Sequence, residues 1–210
     1  MGRYRWDGFG WSRDNLGMRT IIPKNAKLLP ENAERVFSGQ IFDVYQWEQE
    51  MFDGTTETFE MLKRADTVKV IAVKDEKIVV LHETQPHHPP FIDIPGGRHD
   101  YDSETELQAA QRELLEETGM KFNNWKLLKI DQPHTKMDWF VYFFLATDFE
   151  SQTKPNLDAG EKIVVELYDF EQIKSLFDNP KNRYLPKDIL EKASSLDNLI
   201  DLPEFQGTAV

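Results

Sequence analysis

Residues 96–120 read GGRHDYDSETELQAAQRELLEETGM, and this stretch sets the structural expectations for the chain around it. Residues 104–118 have the composition of a helix, and Gly119 directly after them is the residue type that most often ends one. The Pro95-Gly96-Gly97 cluster interrupts regular structure and follows a short predicted strand over residues 91–94. The sequence therefore predicts a strand, an acidic loop and a helix in immediate succession.

The predicted helix has an apolar stripe and an acidic edge. At 100° per residue, one stripe is expected to face the core and consists of Leu107, Ala110 and Leu114. An arc of roughly 100° beside that stripe carries the carboxylates of Glu113, Glu116 and Glu117. The three acids therefore project from one edge of a helix whose back is anchored in the core.

The neighbours of these acids favour a metal site over an ordinary solvated helix face. Like charges at i,i+4 destabilise a helix by about 0.2–0.5 kcal/mol, and Glu113 has Glu116 at i+3 and Glu117 at i+4. Arg112 is placed to pair with Glu116 and Lys121 with Glu117, but no base is expected to relieve Glu113. Carboxylates that face open solvent at this density suit Mg²⁺ or Mn²⁺, which bind oxygen ligands and bridge phosphate groups.

Strand patterns dominate the rest of the chain. The β-rich segments are residues 36–37, 41–47, 58–62, 67–73, 78–81, 91–94, 125–131, 139–146 and 163–168, and further helices are expected at 171–177 and 187–194. Many antiparallel strand signals with helices inserted late predict an α+β fold, a mixed sheet covered by helices. The expected organisation is an N-terminal arm at 1–33, extended or disordered, a β-hairpin subdomain at 34–66 and a main domain at 67–210.

Composition excludes several classes of protein. The chain has 210 residues, no cysteine and a net charge of 25 − 37 = −12, which argues against broad binding to nucleic acid or anionic lipid. Disulfides, thiolate catalysis and zinc–thiolate sites are excluded. There is no apolar run of 18 residues. These features predict a cytoplasmic protein without a membrane partner. They do not exclude a small phosphorylated substrate.

The central stretch resembles the Nudix box, G-x5-E-x7-R-E-U-x-E-E-x-G-U, where U is a bulky aliphatic residue. Glu104 is followed after seven residues by RELLEETGM, residues 112–120, so every fixed position from the first Glu onward is present. One departure is that six residues separate Gly97 from Glu104, where the pattern has five. The extra residue falls in a loop, where insertions are tolerated, and puts the path of that loop in doubt.

The resemblance implies a fold and a set of roles for the box residues. The fold is the Nudix α/β/α sandwich with a mixed sheet, preceded here by an N-terminal antiparallel β-hairpin extension. Metal ligands are implied at Glu113, Glu116, Glu117 and the backbone carbonyl of Gly97, with Mg²⁺ or Mn²⁺ as the cofactor. Structural roles in the box fall on Gly97, Glu104, Arg112 and Gly119.

The general base and the substrate contacts are open at this stage. Glu116 is one candidate for the proton acceptor, and Glu161, in the loop before the last predicted strand, is the other; an ordinary exposed turn acid is the alternative for Glu161. Residues 81–97 are similar to the ADP-ribose and nucleotide-sugar branch of the family, although its arginine position is His87 or lost. Substrate-binding candidates are Gln85, His87 and Arg98.

The resulting expectation is a metal-dependent pyrophosphohydrolase that splits a nucleoside diphosphate linked to another moiety, such as ADP-ribose or a nucleotide sugar. The hairpin at 36–63 resembles the element that mediates dimerisation in that branch, so a homodimer is expected. Two alternatives remain: a different substrate class, such as a dinucleoside polyphosphate or nucleoside triphosphate, and a Nudix-derived nucleotide-sensing domain without turnover.

Overall fold

The computed structural model describes residues 18–86, 88–101, 103–177, 179, 182 and 185–210, and the backbone of residues 5–6 and 11–12. The strands are β1 (Arg5–Trp6), β2 (Trp11–Ser12), β3 (Ile21–Ile22), β4 (Glu34–Ser38), β5 (Asp43–Glu50), β6 (Thr56–Lys63), β7 (Asp66–Lys74), β8 (Lys77–Gln85), β9 (His88–Asp93), β10 (Gly96–His99), β11 (Met120–Asp131), β12 (Met137–Asp138), β13 (Val141–Gln152), β14 (Lys162–Tyr168) and β15 (Thr208–Ala209). The helices are α1 (Glu106–Thr118), α2 (Phe170–Ser175), α3 (Lys187–Leu190) and α4 (Leu196–Ile200). None of these described helices is long and apolar enough to cross a membrane.

The main sheet is mixed and split along its middle. Its strand order is β11-β13-β7-β8-β14, with β13 and β7 parallel and the other pairs on this path antiparallel. The β7–β8 hairpin, expected from two apolar runs, pairs only at Val73 with Ile78 and Lys74 with Lys77. Beyond these pairs the strands diverge, because β10 pairs with β7 and β9 pairs with β8 instead. The chain that leads into α1 therefore fills the gap between the two halves of the sheet.

Helices cover both faces of this sheet, which confirms the predicted sandwich. Because side chains alternate along a strand, β7 and β13 contribute to two cores. One core joins the strands to α1 and includes Val68, Val70, Tyr142, Phe144, Ala109, Ala110 and Leu114. The other core joins them to α2, α3 and α4 and includes Ile71, Val141, Phe143, Leu145, Ile173, Ile189, Leu190 and Leu199.

Helix α1 is capped at both ends by the residues that flank it. The Thr105 side chain accepts a hydrogen bond from the backbone N–H of Gln108, whose side chain accepts one from the N–H of Thr105, forming a capping box. Gly119 ends the helix with φ 71°, as the sequence predicts. The expectation that Leu107 faces the core is wrong: it is 37% exposed. Ala110 and Leu114 of the predicted stripe are fully buried, and the buried face extends from them to Glu106 and Glu117.

A smaller sheet precedes the main domain. Strands β4, β5 and β6 form an antiparallel meander, with the β5–β6 turn at Asp53-Gly54 as expected, and β12 joins β6 in parallel. The predicted strand over 41–47 begins later, at Asp43. Strand β4 lies at the edge of this sheet and leaves Val36 and Phe37 exposed.

The described part of the predicted arm, residues 18–33, lies against the main domain. Arg19 forms ion pairs of 2.6 Å with both Asp66 and Asp138. The Thr20 backbone and hydroxyl donate to the buried carboxylate of Glu106 at 2.6 and 2.7 Å. Strand β3 then pairs with β15. The charged pairs at Arg19 thus join this segment to β7 of the main sheet and to β12 of the smaller sheet.

Candidate active site

A cleft of about 1480 Å³ opens between the acidic edge of α1, the split in the main sheet and the smaller sheet. The sequence-predicted acids Glu113, Glu116, Glu117 and Glu161 all line it, together with Gly97, Arg98 and Gln85. His87 lies outside the described residues. The fold therefore brings residues that are distant in sequence, such as Gly97 of β10 and Glu161 before β14, to the same cleft.

Arg112 organises the acidic edge of the helix. Its Nε and Nη2 donate to the two carboxylate oxygens of Glu104 at 2.8 and 3.0 Å, which is the ion pair that the box implies. Its Nη1 donates to Glu113 at 2.7 Å and to Glu116 at 3.2 Å. The expectation that no base relieves Glu113 is therefore wrong. Although adjacent helical residues point about 100° apart, the long Arg112 side chain reaches sideways to its neighbour.

The box loop absorbs its extra residue without disturbing this arrangement. Ser103 takes a left-handed conformation, φ 63°, just before Glu104. The backbone carbonyl of Arg98 accepts a hydrogen bond of 2.9 Å from Arg112 Nη2, and the Tyr101 ring lies 4.2 Å from the guanidinium. The loop is thus held by the same arginine that holds the helix.

Two glycines bring the backbone close to the carboxylates. The Gly96 N–H donates to Glu117 Oε2 at 2.8 Å. A Cβ atom on Gly97 would lie 2.4 Å from Cδ of Glu113, so a larger residue there would collide with that carboxyl group. The Glu113 carboxyl group therefore occupies the space that a side chain at position 97 would need, and the Gly97 backbone lies next to the proposed ligands.

The carboxylates of this edge are more buried than the sequence suggests. Glu117 is 5% exposed, and the expected picture of acids facing open solvent is wrong for it. Burial raises the pKa of Glu113 to about 7 despite the opposing effect of Arg112. Burial also raises the pKa of Glu117 well above its usual range, against the effects of Lys69 and the Gly96 N–H. The expected Lys121–Glu117 pair is not among the ion pairs of the described residues, and the cation whose charge acts on Glu117 is Lys69 of β7.

The donor set fits a hard divalent cation, although the side chains are not arranged around one. Within the described residues, no three Asp, Glu or His side chains converge on a point that would hold a metal ion as they stand. The arrangement explains why: Glu113 and Glu116 turn toward Arg112, and Glu117 turns toward Gly96. Burial raises the pKa values of Glu113 and Glu117, and a bound cation would lower them by stabilising the charged carboxylates.

The two candidate proton acceptors line the same cleft. Glu161 begins the approach to β14, and its backbone N–H donates to the carbonyl of Asp158 at 3.0 Å. Burial raises the pKa of Glu161, and the charges of Asp158 and Glu116 raise it further. The charge of Glu116 therefore reaches Glu161 within the cleft.

The predicted substrate contacts are polar groups on the cleft wall. Gln85 is exposed and its side-chain amide donates to Glu83 at 3.2 Å. Arg98 is exposed, with Nε 3.6 Å from Asp100. Both residues line the cleft.

Two functional residues were missed by sequence reasoning. Arg64, at the junction of the two sheets, lines the cleft with its guanidinium 4.8 Å from the Trp139 ring centroid and 5.6 Å from that of Phe42. Burial lowers the pKa of Arg64, and the charge of Arg98 lowers it further, so two guanidinium groups lie near each other. Lys69 is the other missed residue, and its position inside the apolar run TVKVIAV was the available signal.

Comparisons with known proteins agree with this geometry. The model of the NUDIX domain matches residues 63–188. The chain is 34% identical over 138 residues to an ADP-ribose pyrophosphatase of Bacillus subtilis (strain 168), covering 63% of this chain and 73% of that protein. It is also 26% identical over 121 residues to a methanol dehydrogenase activator of Bacillus methanolicus, covering 57% of this chain and 58% of that protein.

The fold has solved counterparts as well. A crystal structure described as an ADP compounds hydrolase superposes with a TM-score of 0.59 at 19% sequence identity, covering 72% of this chain and 83% of the other. The α/β/α sandwich with its acidic box helix is thus that of a Nudix-type domain. The chain belongs to the NUDIX family, and its resemblance to the ADP-ribose branch is confirmed by the Bacillus subtilis relative.

Proposed function

We propose that this protein is a metal-dependent pyrophosphohydrolase that cleaves the diphosphate of ADP-ribose or a related nucleotide sugar. The observation that carries the proposal is the wall of box carboxylates, the partly exposed Glu113 and Glu116 and the buried Glu117, which borders a cleft also lined by arginines. The family match and the relative named ADP-ribose pyrophosphatase support the pyrophosphohydrolase class.

The metal site would be formed by the box. Glu113, Glu116, Glu117 and the carbonyl of Gly97 are the groups that would hold Mg²⁺ or Mn²⁺. Such a cation supplies charge neutralisation of the diphosphate and a lower pKa for the attacking water. Arg112 and Glu104 keep the helix and loop in register, so that the carboxylates stay on one edge.

Two arginines are suited to bind the anionic substrate. Arg64 is fixed by its contacts with Trp139 and Phe42, and Arg98 stands near it on the other side of the cleft mouth. Neighbouring guanidinium groups repel each other, and a diphosphate between them would relieve that repulsion. Arg64 would then bind the substrate diphosphate in place of the family's arginine, which is missing from residues 81–97.

The proton of the attacking water needs a carboxylate acceptor in the cleft. Glu161 meets that need because its pKa is raised by burial and by the charges of Asp158 and Glu116, which makes it a better base than a solvated acid. Glu116 is the alternative acceptor, and it would then be less available as a ligand.

We further propose that the active form is a cytoplasmic homodimer. Val36, Phe37 and Ile41 are 52%, 60% and 55% exposed at or beside the edge strand β4, and we take these exposed apolar side chains as the patch of an interaction surface. A symmetric contact through β4 would cover the patch and the unpaired strand edge.

The activity is tested by incubating the purified chain with ADP-ribose, UDP-glucose, diadenosine tetraphosphate and ATP, each with Mg²⁺, Mn²⁺ or EDTA. We expect AMP and ribose 5-phosphate from ADP-ribose, and no turnover in EDTA. Glu117→Gln should lower kcat by two or more orders of magnitude without unfolding the chain. The matched control is Glu171→Gln, an exposed acid in the first turn of α2, which should have wild-type activity.

The outcomes separate the alternatives. Preferential cleavage of diadenosine tetraphosphate or ATP would assign a different substrate class. Tight nucleotide binding without turnover by any compound would assign a sensing domain. Equal activity of Glu117→Gln and wild type would refute the assignment of the box carboxylates.

A further inference from the structure

A buried lysine lies beside the acidic wall of the cleft. Lys69, in the middle of β7, has a side chain that is 15% exposed. Its Nζ lies 2.5 Å from Oδ2 of Asp93, a residue of β9 that is 3% exposed, and 3.5 Å from the carbonyl oxygen of Ile94. An ion pair this deep needs good geometry to offset the cost of removing both charges from water.

The strand register brings this lysine to the proposed ligands. Lys69 is directly opposite Gly96, whose N–H holds Glu117. Gly96 has φ 153°, and a Cβ atom on it would lie 2.9 Å from Cδ of Lys69, so the backbone approaches the lysine stem as only glycine permits. Gly96 therefore connects the two groups: its backbone pairs with Lys69, and its N–H donates to the Glu117 carboxylate.

The charge of Lys69 acts on three acids at once. Burial, the largest influence, would lower the pKa of Lys69, but Asp93 and, beyond it, Glu117 and Glu83 outweigh burial and raise that pKa. Lys69 in turn opposes the upward pKa shifts that burial imposes on Glu83 and Glu117. The Lys69 ammonium is therefore ion-paired with Asp93 and lies within electrostatic reach of Glu83 and Glu117.

We propose that Lys69 is a resident cation of the cleft: it neutralises the inner carboxylates in the absence of metal and limits how strongly the site takes up divalent ions. A fixed ammonium beside Glu117 repels an approaching cation and neutralises carboxylate charge that would otherwise attract it. Lys69 is thus a positioning residue that sets metal affinity. The inference rests on the proposed function, because it assumes that the box carboxylates bind metal.

The test uses two variants that break the same ion pair with opposite changes in charge. Lys69→Met removes the positive charge, and Asp93→Asn removes a negative one. Mn²⁺ binding to the whole chain is measured at pH 8 by isothermal titration calorimetry and by electron paramagnetic resonance of free Mn²⁺. We expect Lys69→Met to bind Mn²⁺ at least about tenfold more tightly than wild type, and Asp93→Asn about tenfold more weakly.

A second measurement separates charge from packing. Lys69→Arg keeps the charge and should have Mn²⁺ affinity within about threefold of wild type. In EDTA, Lys69→Met should melt at a lower temperature than wild type, and saturating Mn²⁺ should raise its melting temperature by more than it raises that of wild type. If Lys69→Met does not fold, the proposal is tested with Asp93→Asn only. Mn²⁺ binding by Asp93→Asn that is unchanged or tighter than that of wild type overturns the proposal.

The outcomes also distinguish this inference from the proposed function. If wild type binds Mn²⁺, Glu117→Gln weakens that binding, and the two variants shift affinity in the same direction, Lys69 and Asp93 are merely a structural pair. If wild type binds no Mn²⁺, or Glu117→Gln leaves its binding unchanged, the proposed metal site itself is refuted.

Discussion

Glu113 couples the stability of the metal-free protein to pH. Its carboxyl group would have a pKa near 4.5 in the unfolded chain, and burial raises that pKa to about 7 in the fold. The folded state therefore holds the proton more tightly, so this contribution to stability is fully present below pH 4.5 and is lost as the pH rises through 7. The difference between the two pKa values corresponds to about 3 kcal/mol.

We accordingly predict that Glu113→Gln removes part of the pH dependence of stability. In EDTA, the free energy of unfolding of wild type should fall between pH 5 and pH 8 by up to about 3 kcal/mol more than that of Glu113→Gln. The comparison is made by urea denaturation at both pH values. Glu171→Gln, an exposed acid on α2, should keep the wild-type slope, and parallel slopes for wild type and Glu113→Gln would contradict the assignment.

Single residues also show where sequence reasoning stopped. The box pattern identified Glu104 and Arg112 as partners, because motif spacing preserves a contact within one loop and helix. The same reasoning missed Lys69 and Arg64, whose roles depend on β7 and β6 meeting the box in space. A charged residue inside an apolar strand signals a buried partner, but the sequence alone does not name that partner as Asp93.

At the scale of elements, α1 is anchored by its C-terminal cap as much as by its apolar face. The Gly119 N–H donates to the carbonyl of Leu115, and its carbonyl accepts from the N–H of Thr153, both at 2.8 Å. The cap thus joins the helix to the chain that follows β13. The proposed metal ligands lie within the last two turns before this junction, so the cap helps to fix their positions.

Gly119→Ala is therefore expected to destabilise the fold strongly. The left-handed conformation costs alanine roughly 1 kcal/mol, and the new Cβ atom would lie 2.1 Å from the backbone oxygen of Thr153, which must move. We expect a total loss of about 3 kcal/mol or more in urea denaturation. Gly54→Ala is the control: Gly54 also has positive φ, at 83°, but open space around its Cβ position, so a loss near 1 kcal/mol is expected.

The sequence predicted some elements and their partners but not others, and the difference has a physical cause. Helix α1 was located to within two residues, because its caps and periodicity are local signals. The partners of β7 were not foreseen: two apolar strands with a short turn predict a full hairpin, yet β7 pairs with β13 over six residues. Pairing between distant strands is decided by packing across the whole sheet, which no local pattern records.

At the scale of the whole molecule, the smaller sheet is the expected contact between two copies of the chain. Deleting residues 1–63 would be a poor test, because it also removes Arg19 and its ion pairs with Asp66 and Asp138. A sharper test is Val36→Asp with Phe37→Asp in the full chain. The exposed apolar patch on β4 would then carry two charges per subunit, which oppose self-association.

We expect wild type to be a dimer in light scattering at micromolar concentration and the double variant to be a monomer with an unchanged circular dichroism spectrum. Val164→Asp is the control, since Val164 is 60% exposed on β14, away from the smaller sheet. That variant should remain a dimer. A monomeric wild type, or dissociation caused equally by Val164→Asp, would refute β4 as the interface.

The Lys69–Asp93 ion pair connects the two halves of the split main sheet. Lys69 belongs to the half built on β7, β10 and β13, whereas Asp93 belongs to the half built on β8, β9 and β14. The chain crosses between the halves at the β7–β8 turn and again at Ile94-Pro95, and the ion pair joins the halves beside this second crossing. Lys69→Met would remove this link together with the charge, so we expect that variant to hold the two walls of the cleft together less firmly.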